Sequence, residues 1–322
     1  MNIFSFLRRR KPIPEPWAKY YTKEELNIKI PDISMYDQVK KSAHLYPNYI
    51  AYEYMGKKCL YKDFIEEINE WAKVFHSSGV KHGDIVTISL PNIPNVLVVL
   101  YALNKMGAIA NMVHPLSSEE EILFSLNSTK SKYLVMLNTF YNKIENVIGK
   151  SSVDAVIFAS AADYMPIYMK LFYNLSQIGK YKKYPKNNMY YSWKKFYKKY
   201  YVTNHIKFPK FCKDTPAVII HSGGTSGTPK NVVIQNRAFI LGALQENILM
   251  KNLHAGDCCL AIMPNFHGFG LSVLMHTPLA LGCYSILIPQ FDAKKFDIMF
   301  QKKKPSCVLG VPTLYEALIS NN

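Results

Sequence analysis

Residues 221–230 read HSGGTSGTPK. Three of the chain's 15 glycines fall in this run, beside two serines, two threonines and a closing lysine. Bare glycine backbone lets main-chain N–H groups approach a ligand closely. Hydroxyls add donors and the lysine adds a compact positive charge, a combination suited to phosphate oxygens. A Walker loop is excluded, because the second glycine counted from Gly223 would stand where Thr228 is, and Asn231 follows Lys230. A dinucleotide fingerprint is excluded as well: its glycine spacing is absent, and Val232-Val233-Ile234 stands where that fingerprint needs a helix. The loop is therefore expected to join two strands, PAVIIHS (216–222) and NVVIQN (231–236).

Outward from the loop, short β-branched runs alternate with helical stretches. IVTISL (85–90) precedes a helix over 95–106 that Gly107 is placed to stop. AIANMV (108–113) precedes SSEEEILFSLNS, where Ser117 or Ser118 can cap and three glutamates favour the positive helix end. KYLVML (132–137), a helix near 139–148 and DAVIFAS (154–160) follow. Beyond the loop come a helix over 237–251, CCLAIMP (258–264), a helix near 269–281, CYSILIP (283–289) and SCVLGVP (306–312). Strands alternating with helices in this way predict layered βαβ units and mostly parallel sheets, an α/β fold.

The rhythm lapses over 166–213, which holds twelve lysines and fourteen aromatic residues with no Asp or Glu. Without those twelve charges the chain's +16 falls to +4, so the excess is local. The segment reads as an insertion between an α/β subdomain at 33–165 and a second at 214–322, with 1–32 as an N-terminal tail. Lysine interleaved with aromatics suits an anionic membrane surface or single-stranded nucleic acid. An amphipathic helix pair with snorkelling lysines satisfies the same pattern. Abundant Lys, Asn, Ile and Tyr would also follow from AT-rich codon usage.

An apolar fraction of 49% excludes global disorder. The six cysteines are scattered, with neither a CxxC pair nor zinc spacing, as expected of reduced thiols in a cytoplasmic protein. Residues 85–104 and 269–289 lack charge, but Pro91, Pro94, Pro278 and Gly282 interrupt them, against membrane-spanning helices. Peripheral contact with the inner face of a membrane is the alternative to a wholly free protein.

The run Ser222 to Lys230 resembles the phosphate-binding signature of the AMP-forming acyl-adenylate synthetases, which include acyl-CoA synthetases. Other segments agree in order: LYKDF (60–64), NKMGAIANMVHP (104–115), PNFHGFG (264–270) and GVPTLY (310–315) are each similar to a family motif. The resemblance covers roughly residues 33–322, apart from the lysine-rich segment. It implies a two-step reaction in which a carboxylate attacks ATP to give an acyl-adenylate and pyrophosphate, and a thiol, commonly of CoA, then takes the acyl group. Gly223, Gly224 and Gly227 would cradle phosphates, Ser222, Thr225 and Ser226 would donate hydroxyl hydrogen bonds, and Lys230 would offset charge on the departing pyrophosphate. A lone histidine before Gly268 is usually a packing residue, but with the motif in register the resemblance implies that His267 beside Phe266 orients the carboxylate. Thr225, Lys230 and His267 are the expected catalytic residues. Phe266, Gly268, Phe269, Gly270, Leu271, Val311 and Pro312 are expected around an acyl pocket. Mg²⁺ is expected with the nucleotide, with no residue singled out as a metal ligand. His221, where the family often has tyrosine, reads as strand-end packing.

The pattern departs at Asn231, where the family commonly has glycine. The family's aromatic-Gly-x-Thr-Glu stretch, its ribose aspartate and its closing domain do not occur before Asn322. An N-terminal portion of an adenylating enzyme, working with a complementing C-terminal chain, is one expectation. A non-catalytic module that holds nucleotide or acyl groups, or docks on membrane, is the other.

Overall fold

The computed structural model describes residues 15–222 and 229–320. Among the described residues a 3-10 turn (Ala18–Tyr20) precedes α1 (Lys23–Leu26) and α2 (Met35–Leu45), then β1 (Ile50–Tyr54), β2 (Lys57–Leu60) and α3 (Tyr61–Ser77). The alternating region supplies β3 (Ile85–Ser89), α4 (Pro94–Met106), β4 (Ile109–Met112), α5 (Glu119–Thr129), β5 (Tyr133–Leu137) and β6 (Ala155–Ala159). Next come α6 (Ile167–Ser176), β7 (Tyr190–Ser192), α7 (Trp193–Tyr200), β8 (Pro216–Ser222), β9 (Lys230–Gln235) and α8 (Asn236–Leu249). The last elements are β10 (Cys258–Ala261), a π-helix (Phe269–His276), α9 (Thr277–Ala280), β11 (Tyr284–Leu287), α10 (Ala293–Lys303) and α11 (Pro312–Ile319).

Local signals set several boundaries. Ser118 caps α5 by accepting from the Glu121 N–H at 3.2 Å, while the Glu121 carboxylate accepts from the Ser118 N–H at 2.9 Å. Two orphan donors are satisfied at once, an arrangement worth about 1 kcal/mol. Gly107 ends α4 in the left-handed region at φ 69°. Between β5 and β6 the expected helix is replaced by short 3-10 turns, Asn138–Lys143 and Ile148–Lys150, with Phe140 outside helical geometry. The expected helix near 269–281 is a π-helix followed by a single α turn.

The large sheet has the order β7-β6-β5-β3-β4-β8-β9 and is parallel except for β9. The small sheet runs β10-β11-β1-β2, with only β2 antiparallel. Both sheets draw strands from either side of the lysine-rich segment. That segment is also woven into the fold: β7 extends the large sheet beside β6, and Trp193 of α7 stacks on Trp71 of α3 at 3.7 Å.

All residues of α4 but Lys105 are buried, as an apolar helix enclosed on every side requires. Its Tyr101 ring meets Phe64 of α3 edge-on at 6.0 Å, and Phe64 meets Tyr52 of β1 at 5.4 Å, linking the helical layer to the small sheet. Several polar groups in this layer are paired across elements. Asn236 Oδ1 accepts from the Met35 N–H and from Asn104 Nδ2. Fully buried His276 receives a hydrogen bond from the Tyr101 hydroxyl at Nδ1 and donates through Nε2 to Gln38 Oε1, each at 3.0 Å.

Candidate active site

The antiparallel ladder between β8 and β9 pairs Ser222 with Lys230. The two ends of the glycine loop are therefore neighbours, with Cα atoms about 5 Å apart as cross-strand partners. Lys230 is exposed and Ser222 half-buried. Gly223, Gly224, Thr225, Ser226 and Gly227 lie outside the described residues. The strand–loop–strand arrangement expected from the sequence is thus in place around them, and Lys230 belongs to the first position of β9.

Just below the loop, His221 Nε2 donates to Asn111 Oδ1 at 2.7 Å and lies 3.0 Å from Ser125 Oγ. Asn111 Nδ2 in turn donates to Thr87 Oγ1 and Ser125 Oγ. Burial lowers the His221 pKa, so the ring is neutral and acts as a cross-brace between β8, β4 and α5. From β9, Asn231 Nδ2 donates to Ser128 Oγ at 3.0 Å, fixing the loop exit to the end of α5.

The register between β4 and β8 pairs Met112 with Ile220, so His114 lies level with Ser222 at the carboxyl end of the sheet. Ligands of open parallel sheets sit outside that end. The His114 ring centroid is 4.2 Å from that of Phe266, and Phe266 is 4.8 Å from His267. His114 Nδ1 accepts from the Leu116 N–H at 2.8 Å, which leaves Nε2 to carry the proton. Burial, reinforced by nearby His267, lowers the His114 pKa, so this imidazole is neutral at physiological pH. His114 lies inside a motif that carried the family resemblance, yet a single histidine before proline gives no sign that it will meet an aromatic ring from residue 266.

The turn bearing Phe266 and His267 is held from the β3–α4 loop. Asn92 Nδ2 donates to the carbonyls of Ala261 and Met263 at 2.9 and 3.0 Å. Asn265 returns the contact, its backbone N–H and its Nδ2 both donating to Asn92 Oδ1 at 3.0 and 2.9 Å. A Cβ built on Gly270 would lie 2.1 Å from the Pro264 carbonyl oxygen and 2.5 Å from that of Met263. A Cβ on Gly268 would meet only Ile220 Cδ1, at 3.9 Å, which places this turn against β8. Phe266, His267, Gly268 and the strand leading to Ser222 therefore share one corner. Phe266 is half-buried, whereas His267, Gly268 and Phe269 are exposed.

Val311 precedes α11 and Pro312 occupies its first turn, both exposed. Cys307 pairs with Cys259 in parallel fashion, so the chain from 307 toward Val311 leaves the small sheet at the same end as the chain from β10 toward Phe266. Leu271, also expected at the pocket, is fully buried in the main core. Among the described residues no group of three or more His, Cys, Asp or Glu could hold a metal ion.

Chemically, this corner offers a hydroxyl and an ammonium at the loop mouth and two imidazoles around an aromatic ring. The first pair attracts an anion, and the three rings form an aromatic boundary beside it.

Known proteins are similar to this chain. A long-chain-fatty-acid–CoA ligase of Bacillus subtilis (strain 168) is 27% identical over 312 residues, which covers 95% of this chain and 55% of that protein. The 4-coumarate–CoA ligase 4 of Arabidopsis thaliana is 23% identical over 83% of this chain and 44% of its own length. A crystal structure of a long-chain-fatty-acid-CoA ligase from Archaeoglobus fulgidus matches with a TM-score of 0.72 at 18% identity, over 91% of this chain and 54% of that one. The chain spans about half the length of the curated relatives it matches. A profile of the AMP-binding enzyme family matches residues 39–322, nearly nine-tenths of the sequence, and the chain belongs to that family.

Proposed function

We propose that the chain activates a carboxylic acid, of the fatty class, with ATP, releasing pyrophosphate and forming an acyl-adenylate that is then passed to a thiol, that of CoA. The observation that carries this reading is the pairing of Ser222 with Lys230 across the loop mouth, level with His114 and against the Phe266–His267 turn. In the first step a carboxylate oxygen bonds to the α-phosphorus, and the bond to the pyrophosphate oxygen breaks. The reaction gathers negative charge, so its catalysis is chiefly positioning and charge neutralisation. Backbone N–H groups of Gly223, Gly224 and Gly227 take the outer phosphates, while Ser222, Thr225 and Ser226 donate from their hydroxyls. Lys230 neutralises the leaving pyrophosphate. His267, tilted against Phe266, orients the attacking carboxylate, and neutral His114 also contacts that ring. Gly268, Gly270, Val311 and Pro312 border the acyl chain.

Hydroxyl and phosphate oxygens are the hard donors Mg²⁺ prefers, so Ser222 and the loop hydroxyls fit a metal that arrives with the nucleotide, where it neutralises phosphate charge. A complementing chain would supply the parts of the reaction that the matched half of its relatives does not contain.

Carboxylate-dependent exchange of labelled pyrophosphate into ATP tests the proposal, using short-, medium- and long-chain acids and aromatic acids. It is run on the 322-residue chain alone and with the C-terminal portion of a relative added. Exchange above the no-acid background in either preparation supports adenylation, and the best acid identifies the substrate class. Silence in both, from protein that still binds nucleotide, would replace this reading with that of a nucleotide-holding module.

A further inference from the structure

None of the ten residues of α6 is buried. Met169 and Tyr173 pack against the main core from one side of the helix. On the other side stand Ile167, Tyr168, Leu171, Phe172 and Leu175, which are 89, 65, 61, 70 and 57% exposed. At 3.6 residues per turn these five cover an arc of about 140°, facing away from Met169 and Tyr173. Ile178, just past the helix, is 74% exposed and continues the same face. Single exposed apolar residues are ordinary, whereas a contiguous face of this kind marks an interaction surface.

Positive charge borders the face. Lys180, Lys183 and Lys186 follow the helix and are exposed, while Lys182 is engaged with Glu145. Lys170 of α6 and Lys194 of α7 line one cavity, which puts the start of α7 beside α6; there they face Glu66, Glu67, Glu70 and Asp163, so the uncompensated charge lies with the lysines that follow α6. On α7 the buried residues are Trp193 and Phe196, and Lys194, Lys195, Lys198 and Lys199 are turned outward. Segment 166–213 contains no acidic residue to offset them. A second copy docked face to face would oppose the same lysines, so like charges disfavour self-association. An apolar stripe followed by the exposed lysines 180, 183 and 186 complements acyl chains beneath anionic headgroups.

We propose that α6 lies in the plane of an anionic lipid bilayer, with Ile167, Leu171, Phe172 and Leu175 seated among the acyl chains and the following lysines against the headgroups. At ten residues the helix is about 15 Å long, half of what a bilayer core requires, so it lies on the membrane and does not cross it. This anchor shares no residue with the adenylation site, and it stands or falls independently of the chemistry proposed there.

The 322-residue chain is sedimented with vesicles of phosphatidylcholine alone and of an equal mixture of phosphatidylcholine and phosphatidylglycerol. Binding to the mixture, little binding to the neutral vesicles, and weakening by salt are expected. Leu171→Asp combined with Phe172→Asp abolishes sedimentation. Lys180→Gln, Lys183→Gln and Lys186→Gln each weaken it about fivefold. In a Phe172→Trp variant, brominated acyl chains quench the new indole. All these side chains are exposed, so thermal melting monitors an unchanged fold. The proposal is overturned if the chain fails to bind the mixed vesicles, if the Leu171/Phe172 variant still binds them, or if the new indole is not quenched. A wild-type dimer that this variant converts to monomer in ultracentrifugation would instead make a second copy the occupant.

Discussion

Replacing Gly270 by alanine places one carbon 2.1 Å from the Pro264 carbonyl oxygen, 2.5 Å from that of Met263 and 2.6 Å from the Pro264 carbonyl carbon. Ordinary contacts lie at about 3.5 Å or beyond, so the π-helix and the turn must part by more than about 1 Å. The clashing atoms are backbone, which cannot rotate aside, and the turn is pinned by Asn92 and Asn265. Overpacking of this kind costs about 1–3 kcal/mol. The same displacement moves Phe266 and His267, and a shift of about 1 Å at a positioned catalytic group reduces a rate on the order of 100-fold. Gly268→Ala is the internal control: two residues away in the same turn, it meets only Ile220 Cδ1 at 3.9 Å and has helical backbone angles, φ −54° and ψ −38°. Urea unfolding should therefore separate the two variants by about 1–3 kcal/mol, and pyrophosphate exchange should fall sharply only in Gly270→Ala. Coincident unfolding midpoints and exchange rates for the two alanine variants would refute the steric account of this turn.

Three further outcomes are expected. Burial depresses the His276 pKa to about 3, so its contribution to stability is complete above about pH 6.5 and is lost as pH falls toward 3, by about 2 kcal/mol at pH 5; urea titrations should show a shallower acid loss in His276→Gln than in wild type. Trp193→Ala, which removes a ring stacked at 3.7 Å on Trp71, should lower unfolding stability by about 3–5 kcal/mol, whereas a loosely appended lysine-rich segment would leave the urea midpoint unmoved. Lys230→Ala should reduce pyrophosphate exchange on the order of 100- to 1,000-fold without changing the urea midpoint, because the side chain is exposed; a loss of stability equal to the loss of activity would point to a structural role.

The strands most clearly legible in the sequence are those buried on both faces. IVTIS, YLVML and AVIFA have few polar positions, and β3, β5 and β6 occupy the middle of the large sheet accordingly. Ser118 and Gly107 were readable because a cap and a left-handed stop are local chemistry. The β1–β2 hairpin was hidden for the opposite reason. Its turn is Met55-Gly56 and its IAYEY strand contains Glu53, which is 3% exposed only because Lys303 of α10 reaches it. That partner arrives from the far end of the chain. In segment 166–213 the lysines masked a three-residue strand and two buried rings, Trp193 and Phe196, since composition averages across faces that the structure separates. The loop was legible through its order of residues. His114 was not, because its role depends on the β4–β8 register and on a ring from another motif.

The small sheet also sets a schedule for folding during synthesis. Tyr52 of β1 pairs with Ser285 of β11, roughly 230 residues further along, which at about 5–20 residues per second is a wait on the order of 10–50 s. The large sheet can recruit β3 to β6 as they emerge, but the edge of β1 that faces β11 stays unpaired until β11 is made. A growing chain thus carries an open strand edge throughout that interval, which is when a chaperone or a neighbouring nascent chain competes for it.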